Sequence, residues 1–500
     1  LRSGKKLFFW EEKIECEKFS VITGKKMIVG DNFGLIYALD PINHTAKIIS
    51  LEKNVESIVI QRSINYQFIN YLITEVEDDV FAHNEMIKSI SFVADSAVTT
   101  IGKWVFRLSS INSLSLPSSV ENLKKGWCEE ANNLVNIKIS PNNKRYIYFD
   151  NKMILGKSDL STDTYDVLIF VRRDATDVKI PSFVRHIDYS CFDGCSRIET
   201  LTFGHDSELR SIRKLAFANS SIKKLTIPSK FETFEEGWCE DSTKLNEIII
   251  SKENPNFITD ENHFVLGKSS DAKESTVFDI LYFAPRKINK VCIPSFVKHL
   301  NSYAFDQCLN IESFEFEENS ELVSIGIYCF FECNFTKISF PSSLQIIKSY
   351  AFSGSSIEKV DFGENSELTT IEKFAFEETN INKILFPASL KSIGDSSFSS
   401  ELDEVQFQKN SKLESIGRNC FYRCPITHIS IPSSINFIDN RAFGDCGLLV
   451  IAEILDDEKE KIVNLYSDSF IGTSEDFVLF VSPYIKLVIS NVDKLLEDYD

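Results

Sequence analysis

The most constraining feature of this chain is a phenylalanine that returns every 22 to 25 residues. From Phe305 to Phe330, Phe352, Phe376, Phe398, Phe421 and Phe443 the steps are 25, 22, 24, 22, 23 and 22 residues. Ala or Cys usually precedes it, as in Cys191-Phe192, Ala216-Phe217, Ala304-Phe305 and Cys420-Phe421. The frame reaches back to Phe106 and Phe81. Trp127 and Trp238 read as the anchors of two units, and Phe470 as a last, weaker one, about fourteen units in all. Length alone, 500 residues, would suggest three globular domains. A fixed short period instead predicts a solenoid, because a unit of this size cannot bury its own apolar face and must stack on its neighbours. The 41 Phe, against 3 Met and 4 Trp, are what one buried position refilled many times would produce.

Two unit types alternate. One reads Ile338-Ser339-Phe340-Pro341-Ser342-Ser343-Leu344, then Ile347, then Ala351-Phe352; its relatives carry Pro117, Pro181, Pro228, Pro294, Pro387 and Pro432. The other replaces the Pro segment with Asn-Ser-x-Leu at 319–322, 365–368 and 410–413, with a variant at 205–209. Apolar and polar residues alternate before each turn, which predicts a short strand with one buried side. Pro ends it by removing a backbone donor.

A longer duplication lies over this pattern. Asn151-Lys152-Met153-Ile154-Leu155-Gly156-Lys157-Ser158, then Asp166 to Phe170, returns as Asn262-His263-Phe264-Val265-Leu266-Gly267-Lys268-Ser269, then Asp279 to Phe283. Each block reads as two strands joined by a polar loop, a hairpin inserted in the solenoid. Met27 to Gly30 followed by Leu35 to Ala38 reads as a third, degenerate copy. The expected organisation is an N-terminal β-rich cap at 1–75, repeats at 76–139, a hairpin insertion at 140–175 and repeats at 176–250. A second insertion follows at 251–287, then repeats at 288–450 and a degenerate repeat with cap at 451–500, where Asn491 to Asp498 reads as a short acidic helix.

The pattern Leu/Ile-x-x-Ile-x-Ile-Pro-Ser-Ser-Val/Leu-x-x-Ile-x-x-x-Ala-Phe-x-x-Cys, clear at Ile288 to Cys308 and Ile426 to Cys446, resembles the BspA-type leucine-rich repeat. The resemblance covers roughly 76–450. It implies a β-rich, right-handed leucine-rich-repeat solenoid, here with two β-hairpin insertions. It further implies a non-enzymatic surface protein of the kind found in anaerobic bacteria and parasitic protists. The paired Phe-rich units look like the protist branch. The implied partner is a host or matrix protein and the implied role adhesion, at the cell surface or after secretion. An intracellular protein-interaction scaffold in the cytoplasm is the alternative.

Charge and motif arithmetic narrow the field. Lys plus Arg is 54 and Asp plus Glu 73, so the net charge is 54 − 73 = −19. That disfavours nucleic acid and direct contact with an anionic membrane, both of which need a basic surface. No apolar run approaches the ~18 residues of a membrane span. Beginning at Leu1 rather than Met, the sequence reads as an internal or trimmed piece. The twelve Cys include Cys-x3-Cys pairs at 191/195, 329/333 and 420/424, and recurrence in the repeat frame marks them as buried thiols rather than zinc ligands. Gly156-Lys157-Ser158 and Gly267-Lys268-Ser269 lack the earlier Gly of a phosphate-binding loop; Asn151 and Asn262 stand there. His186 and His299 share one repeat position. No catalytic residues, metal or cofactor are expected. Asn43, Asn219 and Asn334 fit the N-glycosylation triplet, with Asn334 close enough to an anchor to be shielded.

The binding surface expected of such a solenoid is its concave face, lined by outward strand residues. The candidates are Lys224, Thr226, Glu315, Lys337, Ser339, Lys359, Asp361, Glu404, Gln406, His428 and Ser430. No aromatic residue is read into these rows.

Overall fold

The computed structural model describes residues 21–23, 26–198, 200–269, 276–398, 401–454 and 461–490. Asn491 to Asp498 and Cys16 lie outside them. The chain divides into two compact units, Leu1–Ser242 and Thr243–Asp500. Among the described residues there are strands and turns and no α-helix, hence no helix long and apolar enough to cross a membrane.

Each coil carries two strands where the sequence pattern announces one. The first is the alternating strand before the turn, such as Lys383–Phe386 or His428–Ile431. The second is a two-residue strand at the isolated Ile position after the turn, such as Ile346–Ile347 or Ser392–Ile393. This short strand builds the longer sheet. In the second unit twelve strands run from Phe257–Thr259 to Ile485–Ser490, and from His299–Leu300 onward neighbours are parallel. Parallel steps of this kind take a right-handed path almost without exception. In the first unit the corresponding sheets run from Val21–Thr23 to Asn122–Leu123 and from Tyr146–Phe149 to Thr233–Phe234.

The anchors fill the space between the two strand layers. From Phe305 through Phe330, Phe352, Phe376, Phe398, Phe421 and Phe443 to Phe470, successive rings stack at 4.9–5.6 Å with planes within 18°. The rings from Phe305 to Phe443 are almost fully buried. Phe470 therefore does continue the series. Left-handed backbone flanks the anchor two residues before and after, as at Tyr328 and Glu332, or Asn419 and Arg423. Among the described residues, none of the non-glycine residues in that conformation is Val, Ile or Thr, the types it penalises most.

The same flanking turns correct the reading of the Trp units. Gly126 and Glu130, and Gly237 and Asp241, centre on Cys128 and Cys239. The Phe106 and Phe217 amides donate to the carbonyls of Trp127 and Trp238, as the Phe330 amide donates to that of Ala351. Trp thus occupies the Ala place and Cys the anchor place. The indoles meet Phe106 and Phe217 edge-on, at 6.2 and 5.9 Å.

The turn residues have specific work. The Ser two residues after Pro reaches back one coil: Ser343 Oγ donates to the Ser320 and Leu322 carbonyls at 2.8 and 2.9 Å, Ser389 to Leu368 at 2.8 Å, and Ser434 to Leu413 at 2.7 Å. In the Asn-Ser units the Ser oxygen accepts from the Leu amide two residues on, at 3.4, 3.2 and 3.3 Å. Each bond satisfies a group that strand pairing leaves over.

The insertions hold three antiparallel strands each, not two. Tyr146–Phe149 precedes Met153–Gly156 and Val167–Val171; Phe257–Thr259 precedes Val265–Gly267 and Ile280–Phe283. The last strand of each then pairs in parallel with the next coil. The N-terminal strands Lys26–Gly30, Leu35–Asp40 and Thr45–Leu51 repeat this layout, and Thr45–Leu51 pairs in parallel with Ile69–Val76. The shared irregularity in the second pair aligns Leu35–Asp40 with Met153–Gly156, so the third copy is real but shifted by one strand from the Met27 to Gly30 match.

Each insertion interrupts the anchor stack. Val171 and Ala284 make the anchor's amide bond, to the Cys191 and Ala304 carbonyls, without supplying a ring. Buried arginines fill the gap. Arg286 lies 5.0 Å over Phe283 and donates to the Ala304 and Tyr303 carbonyls at 3.0 and 3.2 Å. Arg173 lies 4.6 Å over Phe170 and donates to the Cys191 carbonyl at 3.1 Å.

Two stability outcomes follow. Phe376→Ala removes a ring stacked on both sides and should cost about 3–5 kcal/mol in urea unfolding. Arg286→Ala removes the second hydrogen bond to each of two carbonyls and leaves a cavity against Phe283, and should cost about 2–4 kcal/mol, with Lys a poor replacement because it lacks the planar fork.

Candidate protein-binding face

The three- and four-residue strands before the turns present one side chain in two to solvent. In the first unit Lys224 and Thr226 are exposed and Leu225 and Ile227 buried. In the second unit Glu315, Lys337, Ser339, Lys359, Asp361, Gln406, His428 and Ser430 are exposed and Glu404 half-buried. Register brings them together as rows. Lys337 stands opposite Lys359 and Ser339 opposite Asp361. Glu404 faces Lys383, with Nζ 2.7 Å from Oε2, and Gln406 faces Leu385. His428 stands opposite Ile451; Ser430 faces and hydrogen-bonds Glu453. The Glu404 carboxylate holds the Lys383 ammonium above its usual pKa.

Sequence reasoning missed Lys290, Lys383, Leu385 and Glu453. The signal was available: Lys290 and Lys383 stand four residues before their Pro, as Lys224, Lys337 and His428 do. The rows are not free of apolar side chains either. Leu385 is 47% and Phe480 55% exposed, and Phe480 stands opposite Glu453. Leu385 escaped because an exposed apolar residue breaks the alternation that marks the face.

The strands of this face pair in short groups. Lys290–Ile293 pairs with Ser313–Phe316, Lys337–Ser339 with Lys359–Asp361, and Lys383–Phe386 with Glu404–Phe407; His428–Ile431, Ile451–Ile454 and Val478–Val481 form a trio. Each group begins with a Pro-unit strand. Furrows of about 580 and about 680 Å³ lie between Ser313–Phe316 and Lys337–Ser339, and between Glu404–Phe407 and His428–Ile431. In the first unit Ser57–Ile60, Ser89–Phe92, Ser113–Leu116 and Asn136–Ile139 pair without a break, and Asp177–Ile180 and Thr200–Phe203 form a separate pair.

The remaining motifs take structural places. Ten of the eleven described cysteines are buried and Cys292 is exposed. The Cys333 and Cys446 thiols donate to the Phe305 and Phe421 carbonyls at 3.0 Å. Burial pushes Cys128 up to about 12, Cys308 to about 11 and Cys446 to about 12. Among the described residues no group of three or more His, Cys, Asp or Glu could hold a metal ion. In the Gly-Lys-Ser turns, a Cβ on Gly267 would come within 2.5 Å of the Tyr282 ring. Lys157 and Lys268 lie 5.0 Å over Tyr165 and Phe278. Ser158 and Ser269 cap the Asp166 and Asp279 carboxylates through amide and hydroxyl, at 2.6–2.9 Å. These contacts account for the motif without a phosphate. His186 and His299 each bond a Ser of the next coil, Ser211 and Ser324, at 2.8 Å. Asn43, Asn219 and Asn334 are all exposed, so Asn334 is not shielded by its anchor.

Comparison with known proteins agrees with this geometry. The BspA type Leucine rich repeat region, in six copies, matches residues 46–154, 168–264, 281–333 and 323–449. The chain belongs to this family of leucine-rich-repeat proteins, and a repeat protein of the protein-interaction type is the class its fold and face define. No curated protein sequence matches it. Among solved structures it is similar to a leucine rich cell surface protein from Faecalibacterium prausnitzii, with 18% identity over 88% of this chain and 96% of that one and a TM-score of 0.41. It is also similar to the pneumococcal vaccine antigen PcpA, with 16% identity over 91% and 98% and a TM-score of 0.40.

Thiol reactivity tests the burial pattern. Under native conditions N-ethylmaleimide should label Cys292 and spare the ten buried cysteines, read by peptide mass spectrometry. Unfolding should expose them all.

Proposed function

We propose that this chain is a non-enzymatic surface protein that binds a host-cell or extracellular-matrix protein through the outward rows of its three- and four-residue strands, and so mediates adhesion. The observation that carries the reading is the rows themselves: regularly spaced exposed side chains on a scaffold whose interior is fully committed to packing. Lys337 and Lys359 stand side by side on paired strands, an arrangement that costs stability unless something else recoups it. A protein ligand with acidic side chains would do so. Exposed Asn43, Asn219 and Asn334 are compatible with passage through a secretory route. No cofactor, catalytic step, nucleic acid or direct membrane contact enters this reading.

A second reading, an intracellular protein-interaction scaffold, is favoured by the thiol-rich core, which suits a reducing compartment. Glycan occupancy of the three Asn in protein from its native source separates the two.

Surface plasmon resonance on immobilised matrix proteins is the direct test. Saturable binding is expected, weakened roughly tenfold or more by the triple substitution Lys337→Glu, Lys359→Glu and Lys383→Glu. No saturable binding, together with no exposure on intact cells, would sink the adhesion reading.

A further inference from the structure

The furrow between Ser313–Phe316 and Lys337–Ser339 has features that a solvated groove between coils does not require. No backbone hydrogen bond crosses it, so two parallel strands turn unpaired edges toward each other. Such edges are the groups through which proteins capture extended chains. Its residues run along the whole length of both strands, 312–317 on one side and 335–340 on the other, about 20 Å at ~3.3 Å per residue. A volume of about 580 Å³ drawn out along that length suits an extended polypeptide better than a compact ligand. Phe314, Ile338 and Phe340 are buried beside it and give it an apolar floor.

Charge chooses the occupant. Glu312, Glu315 and Glu317 are exposed on one wall and Lys337 on the other. Glu317 accepts the Ser295 amide at 2.8 Å, and none of the three glutamates forms an ion pair among the described residues. The second furrow differs, because Glu404 is already tied to Lys383. The break between Lys359–Asp361 and Lys383–Phe386 is spanned near its turns by Gln408, whose Nε2 donates to the Gly363 carbonyl at 3.1 Å.

We propose that the furrow between residues 312–317 and 335–340 is a docking groove for an extended, lysine- or arginine-bearing segment of a partner protein. The apolar floor takes one side of the segment, and Glu312, Glu315 and Glu317 take its cations. This rests on the protein-binding reading above and adds to it one basic, extended segment of the partner, distinct from the acidic side chains that would meet Lys337 and Lys359.

The probe is a fluorescein-labelled hexapeptide alternating Val and Lys, followed by anisotropy at low ionic strength, with a Val/Glu hexapeptide for comparison. The Val/Lys peptide should bind saturably and the Val/Glu peptide should not. Glu312→Gln with Glu315→Gln should weaken binding roughly three- to tenfold, and Lys337→Glu should tighten it. Lys138→Glu, an acidic change on the face of the other unit, should leave it unchanged. Thermal melting of each variant separates lost binding from lost fold.

Absence of saturable binding, equal binding of both peptides, indifference to the glutamate changes, or an equal response to Lys138→Glu would overturn the groove. Matrix-protein binding measured on the same samples tells the two failures apart. If it persists while the peptide fails, the groove is wrong and the protein-binding reading stands. If both fail, both fall.

Discussion

The stacked phenylalanine column is the interaction on which the rest depends. Paired parallel strands lie ~4.8 Å apart, and offset-stacked rings prefer centroids separated by about the same distance. In the second unit the strand layer and the ring column therefore share one period, at 4.9–5.6 Å per coil. Neither has to stretch to fit the other. Each ring contacts the coil before and the coil after, so the column transmits register along its length while stability stays local. Coil length can vary from 22 to 25 residues, because extra residues go to the turns and not between strand and ring.

Places where the column fails show how strictly it is needed. An insertion coil arrives with Val171 or Ala284 where a ring belongs, and a buried guanidinium lies against the preceding aromatic residue and ties itself to carbonyls of the next coil. Burying a charge is costly unless hydrogen bonds compensate it. The solution recurs in both insertions, at Arg173 and Arg286. With the interior so committed, the outward rows are left to vary. They are rich in Ser in the unbroken sheet that starts at Ser57–Ile60, and in Lys and Glu on the broken sheet of the second unit.

Much of this was legible beforehand because repetition averages out local ambiguity. A single Ile-Ser-Phe-Pro could be many things; the same pattern returning with Ala-Phe could not. The outward candidates from Glu315 to Ser430 were readable by alternation alone. Other features were not. Trp127 and Trp238 looked like anchors because side-chain size was the only guide, whereas backbone conformation at Gly126 and Gly237 assigns that place to Cys. The two-residue strands are too short for any periodicity, yet they form the longest sheet. Leu385 and Phe480 were missed because exposed apolar residues violate the pattern used to find the face.

The sequence by itself determined the period, the two unit types, the duplicated insertion and the family, since each is a matter of which residue types recur at which spacing. Tertiary structure decided which strands pair and which part. Both kinds of boundary look alike in one dimension: Phe316 to Lys337 and Phe340 to Lys359 are similar stretches of chain. Only the stacking of whole coils opens a furrow at the first and closes the second with hydrogen bonds. Backbone pairing depends on positions separated by a full coil, and no local pattern encodes that distance.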